Sequence, residues 1–152
     1  MREVRRQTLV PHTAQQMYDI VNDIARYPEF LPWCTAAVVQ SHTDTTMNGT
    51  LTLSRLGVAV NVTSANTMVP GRHIGMTQIG GPLQSLVGTW DFTPIEKDGV
   101  ERGSKVELWV EFAFKNAALT VLFAPFFELT WDSLVDAFIK RARDLYGVPS
   151  RS

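Results

Sequence analysis

The sequence is poor in the residues that make covalent cross-links and metal sites. Cys34 is the one cysteine among 152 residues, so an intramolecular disulfide is impossible. The three histidines, His12, His42 and His73, are far apart and form no pair at metal-ligand spacing. These absences argue against a disulfide-stapled secreted domain and against a metal centre.

Charge of one sign and long apolar runs are missing as well. The formal net charge is −1 at pH 7, whereas nucleic-acid-binding surfaces usually show a strong basic excess, so we expect no DNA partner. No run of 18 apolar residues predicts a membrane-spanning helix, and the charged first residues do not begin a signal peptide. We therefore expect a cytoplasmic protein, with peripheral attachment to the inner membrane left open.

Signatures of catalysis are also absent from the sequence. There is no Gly-x-Ser-x-Gly elbow, and Gly80-Gly81-Pro82 lacks the Lys-Ser/Thr pair of a phosphate-binding loop. Cys34 has no base nearby in sequence, which favours a buried thiol over a nucleophile. We expect a protein that is not an enzyme, holds no metal and requires no cofactor.

What is present is a series of short strands followed by one long helix. The length predicts a single domain over residues 1–148 with a short tail at 149–152. Thr13 and Gln16 have capping-box spacing and predict a short helix to Val21, followed by a helical turn. Apolar alternation and turn residues predict strands over Arg2–Val10, Thr35–His42, Gly49–Arg55, Val58–Val69, Arg72–Ile79, Gly88–Pro94 and Ser104–Lys115.

Two connections carry specific expectations. Asn48-Gly49 is a strong hairpin signal and predicts the turn between the second and third strands. Gly80-Gly81-Pro82 predicts a loop that carries Leu83 and Leu86.

The segment from Asn116 to Tyr146 predicts a long C-terminal helix capped by Asn116. Its first half is apolar on all sides, which requires burial or contact with a partner, a lipid or a ligand. Pro125 is expected to kink the helix or to begin a new segment. Its second half has an apolar stripe of Phe127, Trp131, Leu134, Phe138, Ala142 and Leu145.

Four tryptophans and eight phenylalanines are a rich aromatic supply for one small domain. They either fill a core or line a tunnel between a bent sheet and the helix. For the tunnel, we predict a lining of Val60, Met76, Trp90, Phe112, Phe114, Phe123, Phe127, Leu134 and Phe138. We predict a gate made of Tyr27, Pro28, Phe30, Leu31, Trp33, Leu83, Leu86 and Pro125.

Three motifs carry a family resemblance that covers nearly the whole chain. They read Val21-x-Asp23-x-x-x-Tyr27-Pro28-x-Phe30-Leu31-Pro32-Trp33-Cys34, then Gly81-Pro82-Leu83-x-x-Leu86-x-Gly88-x-Trp90-x-Phe92, then Ala137-Phe138-x-x-Arg141-Ala142-x-x-Leu145-Tyr146-Gly147. Together they resemble the family of bacterial RatA and mitochondrial coenzyme-Q-binding proteins, a branch of the START-like, polyketide-cyclase-like superfamily. Leu83 stands where the family often has phenylalanine.

The resemblance implies an α+β helix-grip (START-like) fold. In that fold a seven-stranded curved antiparallel sheet surrounds a long C-terminal helix, and two short helices follow the first strand. The lack of an N-terminal targeting extension is similar to bacterial rather than mitochondrial members. A monomer is the default expectation.

The resemblance implies two kinds of function. Mitochondrial-type relatives bind ubiquinone and support respiration, so our leading expectation is a non-enzymatic carrier whose bound ligand is ubiquinone or another prenyl lipid. Bacterial relatives imply the alternative, a toxin of a toxin–antitoxin pair that binds a ribosomal subunit and inhibits translation initiation, with Arg2, Arg5 and Arg6 as the contact. An aromatase/cyclase-type enzyme is the third reading.

Overall fold

The computed structural model describes residues 2–55 and 57–147; within them, the side chains at 55, 58, 126–130 and 132 lie outside the description. The predicted tail at 149–152 therefore lies outside the described residues. The elements are β1 (Arg2–Val10), α1 (Ala14–Asn22), a 3₁₀ helix (Ile24–Glu29), β2 (Cys34–His42), β3 (Thr46–Arg55), β4 (Val58–Val69), β5 (His73–Gly80), β6 (Leu83–Lys97), β7 (Val100–Phe114) and α2 (Ala117–Tyr146).

The strands form one seven-stranded antiparallel sheet in the order β1-β7-β6-β5-β4-β3-β2. From β2 to β7, each strand pairs with the next one along the chain, and β1 pairs with β7 to form the edge opposite β2. The sheet curves, and one face packs against the helices. Alternate residues of β7 are buried on that face, namely Val106, Leu108, Val110, Phe112 and Phe114. The helix-grip architecture expected from the sequence is confirmed.

The predicted capping box at the start of α1 is present. The amide of Gln16 donates to Thr13 Oγ1 at 3.1 Å, and the amide of Thr13 donates to Gln16 Oε1 at 2.9 Å. Tyr18 on the buried face of α1 meets Phe92 of β6 edge-on, with ring centroids 5.8 Å apart. The capping box thus starts α1, and the contact between Tyr18 and Phe92 holds the helix on the sheet.

The Asn48-Gly49 turn prediction is wrong, because both residues lie inside β3 and the turn comes earlier, at 43–45. Gly49 serves a different purpose. A Cβ atom there would lie 2.2 Å from Cδ1 of Ile24 in the 3₁₀ helix. Glycine at this position lets the 3₁₀ helix pack closely on β3, so its role depends on a tertiary contact and not on a turn.

The predicted loop carrying Leu83 and Leu86 is also wrong. Both residues belong to β6, which begins directly after Gly81 and Pro82 and pairs along its length with β7. Gly81 has a φ of +147°, which accommodates the sharp return of the chain from β5. The turn is therefore shorter, and the sheet longer, than the Gly-Gly-Pro signal indicated.

α2 begins as predicted but does not break at Pro125. Asn116 Oδ1 accepts a hydrogen bond from the amide of Leu119 at 2.9 Å. The helix then continues through Pro125 to Tyr146, so a new segment does not start there. Its first half is not buried all round, because Val121 is 80% exposed and Leu122 is 61% exposed.

The second half of α2 carries much of the predicted stripe into the core. Leu134, Phe138 and Ala142 are buried, and Trp131 is half-buried. Leu145 is exposed, contrary to the pattern, since it lies in the last turn of the helix. The side chain of Phe127 lies outside the described residues.

A buried histidine connects the two ends of the chain. His12 follows β1, and its Nε2–H donates to the carbonyl oxygen of Gly147, the C-cap of α2, at 2.8 Å. The Ser104 hydroxyl of β7, itself fully buried, donates to the carbonyl oxygen of His12 at 2.9 Å. The end of α2 is thereby fixed to the β1–β7 edge of the sheet.

Candidate functional site

An apolar cavity of about 90 Å³ lies between α2 and the concave face of the sheet. Its lining consists of Tyr27, Trp33, Leu51, Leu53, Val62, Ser64, Met76, Leu86, Trp90, Trp131 and Leu134. Ligand pockets usually measure roughly 300–1,000 Å³, and a cavity that binds benzene measures about 150 Å³. The cavity must therefore widen to admit a drug-sized molecule. Two rings of its wall, those of Trp33 and Trp131, are half-buried.

The cavity brings together part of the predicted lining. Met76, Trp90 and Leu134 line it, as do three of the residues predicted for the gate, Tyr27, Trp33 and Leu86. Val60 and Phe123 are half-buried and do not line it, while the core takes up Phe112, Phe114 and Phe138. The side chain of Phe127 is not described.

The other predicted gate residues have different roles in the structure. Leu31 and Leu83 are buried in the core, and Pro28 and Pro125 are exposed. Phe30 packs beside Phe138, with ring centroids 5.6 Å apart. None of these five residues lines the cavity, whereas Tyr27, Trp33 and Leu86, which are close to them in the sequence, do line it. Position in the sequence therefore could not separate the two groups.

An ion pair holds the segment that contributes Tyr27 and Trp33 against α2. Arg141 of α2 donates to Glu29 Oε1 at 3.1 Å, and its guanidinium lies 5.0 Å from the ring centroid of Phe30. The hydrogen bond from Arg141, reinforced by one from Arg26, lowers the pKa of Glu29. One wall of the cavity is therefore fixed by contacts with the helix that forms the opposite wall.

Five lining residues were not among the predicted ones. They are Leu51, Leu53, Val62 and Ser64 of β3 and β4, and Trp131 of α2. The i, i+2 spacing of the strand residues marks one face of each strand, and Trp131 lies one helical turn before Leu134. The sequence assigned these faces, but the position at which α2 crosses the sheet selects the residues that face the cavity.

The described part of the cavity wall has no charged residue. The hydroxyl of Tyr27 donates to the carbonyl oxygen of Val21, and burial raises the pKa of Tyr27 well above its ordinary value. Burial also raises the pKa of Cys34, which borders this region and is 2% exposed. Burial and a raised pKa both disfavour the phenolate and the thiolate, so neither group is well suited to nucleophilic chemistry.

Several buried polar atoms of α2, β4 and β5 have no hydrogen-bond partner. The Nε1–H of Trp131 is one, and the amide oxygens of Asn66 and Gln78 are two more. Ser64 and Gln78 face each other across β4 and β5. An unpaired buried polar group costs roughly 1–3 kcal/mol, so such groups are usually retained for a water molecule or a ligand.

The three N-terminal arginines do not form a single patch. Arg2 and Arg6 occupy alternate positions along β1 with Arg5 between them, but Arg6 lines the same surface groove as Arg5, and Arg2 does not line it. Arg5 Nε donates to Glu3 Oε1 at 2.6 Å, and its guanidinium lies 5.9 Å from the ring centroid of Trp109.

Arg5, Arg6 and Trp109 border an open groove of about 490 Å³ on the outer face of the sheet. Asp91 and Glu107 also line this groove, so its charge is mixed. His73 Nδ1 lies 2.7 Å from Asp91 Oδ1 beside it. The outer face therefore lacks the basic excess that is typical of an RNA-binding surface.

The described residues show neither a metal-binding cluster nor a membrane-spanning helix. They contain no group of three or more His, Cys, Asp or Glu residues that could hold a metal ion. None of their helices combines the length and hydropathy needed to cross a bilayer.

Comparisons with known proteins agree with the architecture. A family model described as polyketide cyclase / dehydrase and lipid transport matches residues 10–139. The ribosome association toxin RatA of Vibrio cholerae is 37% identical over 147 residues, which cover 97% of this chain and 99% of the toxin. The mitochondrial coenzyme Q-binding protein COQ10 of Drosophila melanogaster is 29% identical over 143 residues, 93% of this chain and 59% of that protein.

Solved structures extend the likeness to the fold. The Zhui aromatase/cyclase of a Streptomyces species has a TM-score of 0.82 at 16% identity, and the match covers 95% of both chains. A START superfamily protein of Mycobacterium smegmatis has a TM-score of 0.77 at 14% identity, covering 94% of this chain and 98% of that one. At such low identity these structures show a shared fold, and the fold serves enzymes as well as binding proteins.

Proposed function

Because this chain belongs to the polyketide cyclase/dehydrase and lipid-transport family, we propose that it is a non-enzymatic binding protein for a lipophilic molecule, with ubiquinone as the first candidate. The observation that carries the proposal is the apolar cavity under α2, whose described lining is aliphatic and aromatic apart from Ser64. Each methylene buried there contributes roughly 0.8 kcal/mol.

Three features support this choice. The described cavity lining offers no carboxylate, imidazole or amine that could act as a general acid or base. The cavity wall includes two half-buried aromatic rings, those of Trp33 and Trp131, which suit contact with a ring that carries a long apolar tail. A relative named as a coenzyme Q-binding protein spans 93% of the chain.

The test is organic extraction of the purified protein followed by mass spectrometry of the extract, comparing the wild type with Leu134→Asp. Leu134 is 5% exposed and lines the cavity, so a carboxylate there should abolish lipid retention. Val121→Asp is the matched control, because Val121 lies on the same helix and is 80% exposed. A folded Leu134→Asp protein that retains the same lipid would contradict the proposal, as would an empty wild type from a quinone-replete host.

The second candidate function is association with a ribosomal subunit and inhibition of translation initiation. One observation favours it: a relative named as a ribosome association toxin matches 97% of this chain at 37% identity. This reading predicts growth arrest on overexpression and co-sedimentation with one subunit in a sucrose gradient.

Substitutions of the N-terminal arginines test whether these residues make the contact with the ribosomal subunit. Arg5 and Arg6 both line the groove on the outer face of the sheet, so Arg5→Glu and Arg6→Glu should be tested singly and together. Loss of co-sedimentation in any of these variants would assign the contact to that groove. Unchanged co-sedimentation in all of them would exclude the N-terminal arginines as the contact, and no co-sedimentation of the wild type would remove this function.

A further inference from the structure

The groove on the outer face of the sheet, called the outer groove below, is built from two neighbouring rows of side chains that differ in charge. In one row, Arg5, Trp109 and Thr89 are direct neighbours on β1, β7 and β6. In the next row, Glu107 and Asp91 are direct neighbours on β7 and β6. All five residues line the groove. The two rows are two residues, or roughly 7 Å, apart along the strands.

The anionic row favours the approach of a cation. Like charges directly opposite each other on neighbouring strands are destabilising. Asp91 Oδ1 lies 2.7 Å from His73 Nδ1, whereas Lys105 Nζ lies 3.8 Å from Glu107 Oε1, which is longer than a hydrogen bond. The side chains of Asp91 and Glu107 are 47% and 42% exposed. A lysine or arginine side chain of a partner can therefore enter between them and relieve their repulsion.

The cationic row is held in place before any partner binds. The hydrogen bond from Arg5 to Glu3 places the guanidinium over the ring of Trp109. The side chain of Arg5 is still 71% exposed, and Arg6 lines the groove beside it. Because the position of the guanidinium is fixed in advance, less side-chain entropy is lost on binding. Tryptophan and arginine are also the residue types that most often dominate the binding energy of protein interfaces.

The combination of both signs of charge distinguishes between protein and RNA as the partner. An RNA backbone presents only phosphates, which Arg5 would attract and which Asp91 and Glu107 would repel. A protein surface carries both signs, so it can complement both rows at once. In an extended protein segment, side chains two residues apart are separated by roughly the distance between the rows.

Resting on association with a ribosomal subunit, the second candidate function, we propose that the outer groove makes this contact and that its partner there is a protein chain of the subunit. An acidic side chain of the partner pairs with Arg5, and a basic side chain two positions away enters between Asp91 and Glu107. The segment between these two side chains covers the ring of Trp109.

The experiment measures the affinity of the labelled protein for purified ribosomal subunits at about 0.15 M salt. Arg5→Glu should weaken binding about 10-fold, because it places like charges together. The double variant Asp91→Lys/Glu107→Lys should weaken binding by about 10-fold or more for the same reason. An RNA partner predicts the opposite for this double variant, since added cations strengthen binding to phosphates.

Glu96→Lys and Lys97→Glu are the matched controls, because these exposed residues lie at the end of β6 and do not line the groove. Both should leave the affinity unchanged, and circular dichroism should show that every variant is folded. A second measurement places a photo-reactive benzophenone amino acid at Thr89, which lines the groove. The cross-linked product should be degraded by protease and should resist ribonuclease.

Three outcomes would overturn the proposal. Tighter binding of Asp91→Lys/Glu107→Lys, or a cross-link that ribonuclease removes, would assign the contact to RNA. Unchanged affinity in all folded groove variants would place the contact elsewhere on the molecule. In these cases the association with the ribosome would stand, whereas a folded wild type that binds neither subunit would overturn both the association and the proposal.

Discussion

Two buried residues far from the cavity, His12 and Ser104, illustrate how single side chains hold this fold together. Ser104 and His12 are both buried, and the hydroxyl of Ser104 donates a hydrogen bond to the carbonyl oxygen of His12. His12 in turn donates to Gly147 at the end of α2. One hydrogen-bonded chain therefore joins β7, the segment after β1 and the C-terminal helix.

We predict that Ser104→Ala lowers the free energy of unfolding by about 1–3 kcal/mol, because it leaves a buried carbonyl oxygen without a donor. Ser41→Ala is the control, since Ser41 is exposed on β2 and its loss should change stability by less than about 0.5 kcal/mol. Urea denaturation followed by circular dichroism measures both. Equal stabilities for the two variants would mean that the Ser104–His12 hydrogen bond contributes nothing measurable.

Tyr27 leads to a prediction about pH. Burial raises its pKa in the folded protein, whereas in the unfolded chain a tyrosine ionises near its ordinary pKa of about 10. The unfolded state therefore releases a proton that the folded state retains, and the stability contributed by neutral Tyr27 is complete below pH 10 and is lost as the pH rises above it. Tyr18 and Tyr146, whose pKa values burial also raises, act in the same direction.

The measurement is the free energy of unfolding between pH 9 and pH 12 for the wild type and Tyr27→Phe. We expect the wild type to lose stability faster than the variant, by roughly 1.4 kcal/mol for each pH unit above 10. Parallel curves would show that Tyr27 ionises in the folded state as readily as in the unfolded one.

At the scale of elements, two glycines set how closely segments of the chain approach each other. A Cβ atom at Gly103 of β7 would lie 2.2 Å from the carbonyl oxygen of Val10, which is backbone. A Cβ atom at Gly49 of β3 would lie at the same distance from Cδ1 of Ile24, the end of a flexible side chain. The first clash can be relieved only by displacing β1, and the second by turning a side chain.

Gly103→Ala should therefore cost about 3 kcal/mol or more, and Gly49→Ala only about 1–2 kcal/mol. Chemical denaturation of both variants tests this difference, with each serving as the control for the other. A smaller loss for Gly103→Ala than for Gly49→Ala would show that the end of β1 moves more easily than the 3₁₀ helix side chain.

At the scale of the whole molecule, ligand binding and stability are linked through the cavity. The sheet, the 3₁₀ helix segment and α2 all contribute lining residues, so a ligand there contacts parts of the chain that must separate on unfolding. A ligand that binds only the folded state stabilises it by RT ln(1 + [L]/Kd).

We predict that a ubiquinone analogue at about 100 times its Kd raises the free energy of unfolding by about 2.7 kcal/mol. For a chain of this size that corresponds to a rise in Tm of roughly 5–10 °C. Scanning calorimetry with and without the analogue measures the shift, and Leu134→Asp should abolish it. A shift of the same size in Leu134→Asp would place the ligand elsewhere on the molecule.

The sequence by itself determined the order of the elements and the buried faces of β5, β6 and β7. It did so because alternation along a strand, the Thr13–Gln16 capping box and the Asn116 cap are local properties of the chain. It also indicated the apolar character of the site through Met76, Trp90 and Leu134. It misjudged Gly49, whose neighbour Ile24 is distant in the sequence, and it did not separate Phe112 and Phe138, which fill the core, from Trp131 and Ser64, which line the cavity.

Only the tertiary structure decided those points. A periodic pattern assigns a side chain to a face but does not say where along that face another element will cross it. The path of α2 over the curved sheet is set by the packing of Leu134, Phe138 and Ala142 and by the attachment of its end through His12 and Gly147. That path leaves a small space above β3, β4 and β5, because packed side chains there do not fill the volume between the helix and the bend of the sheet.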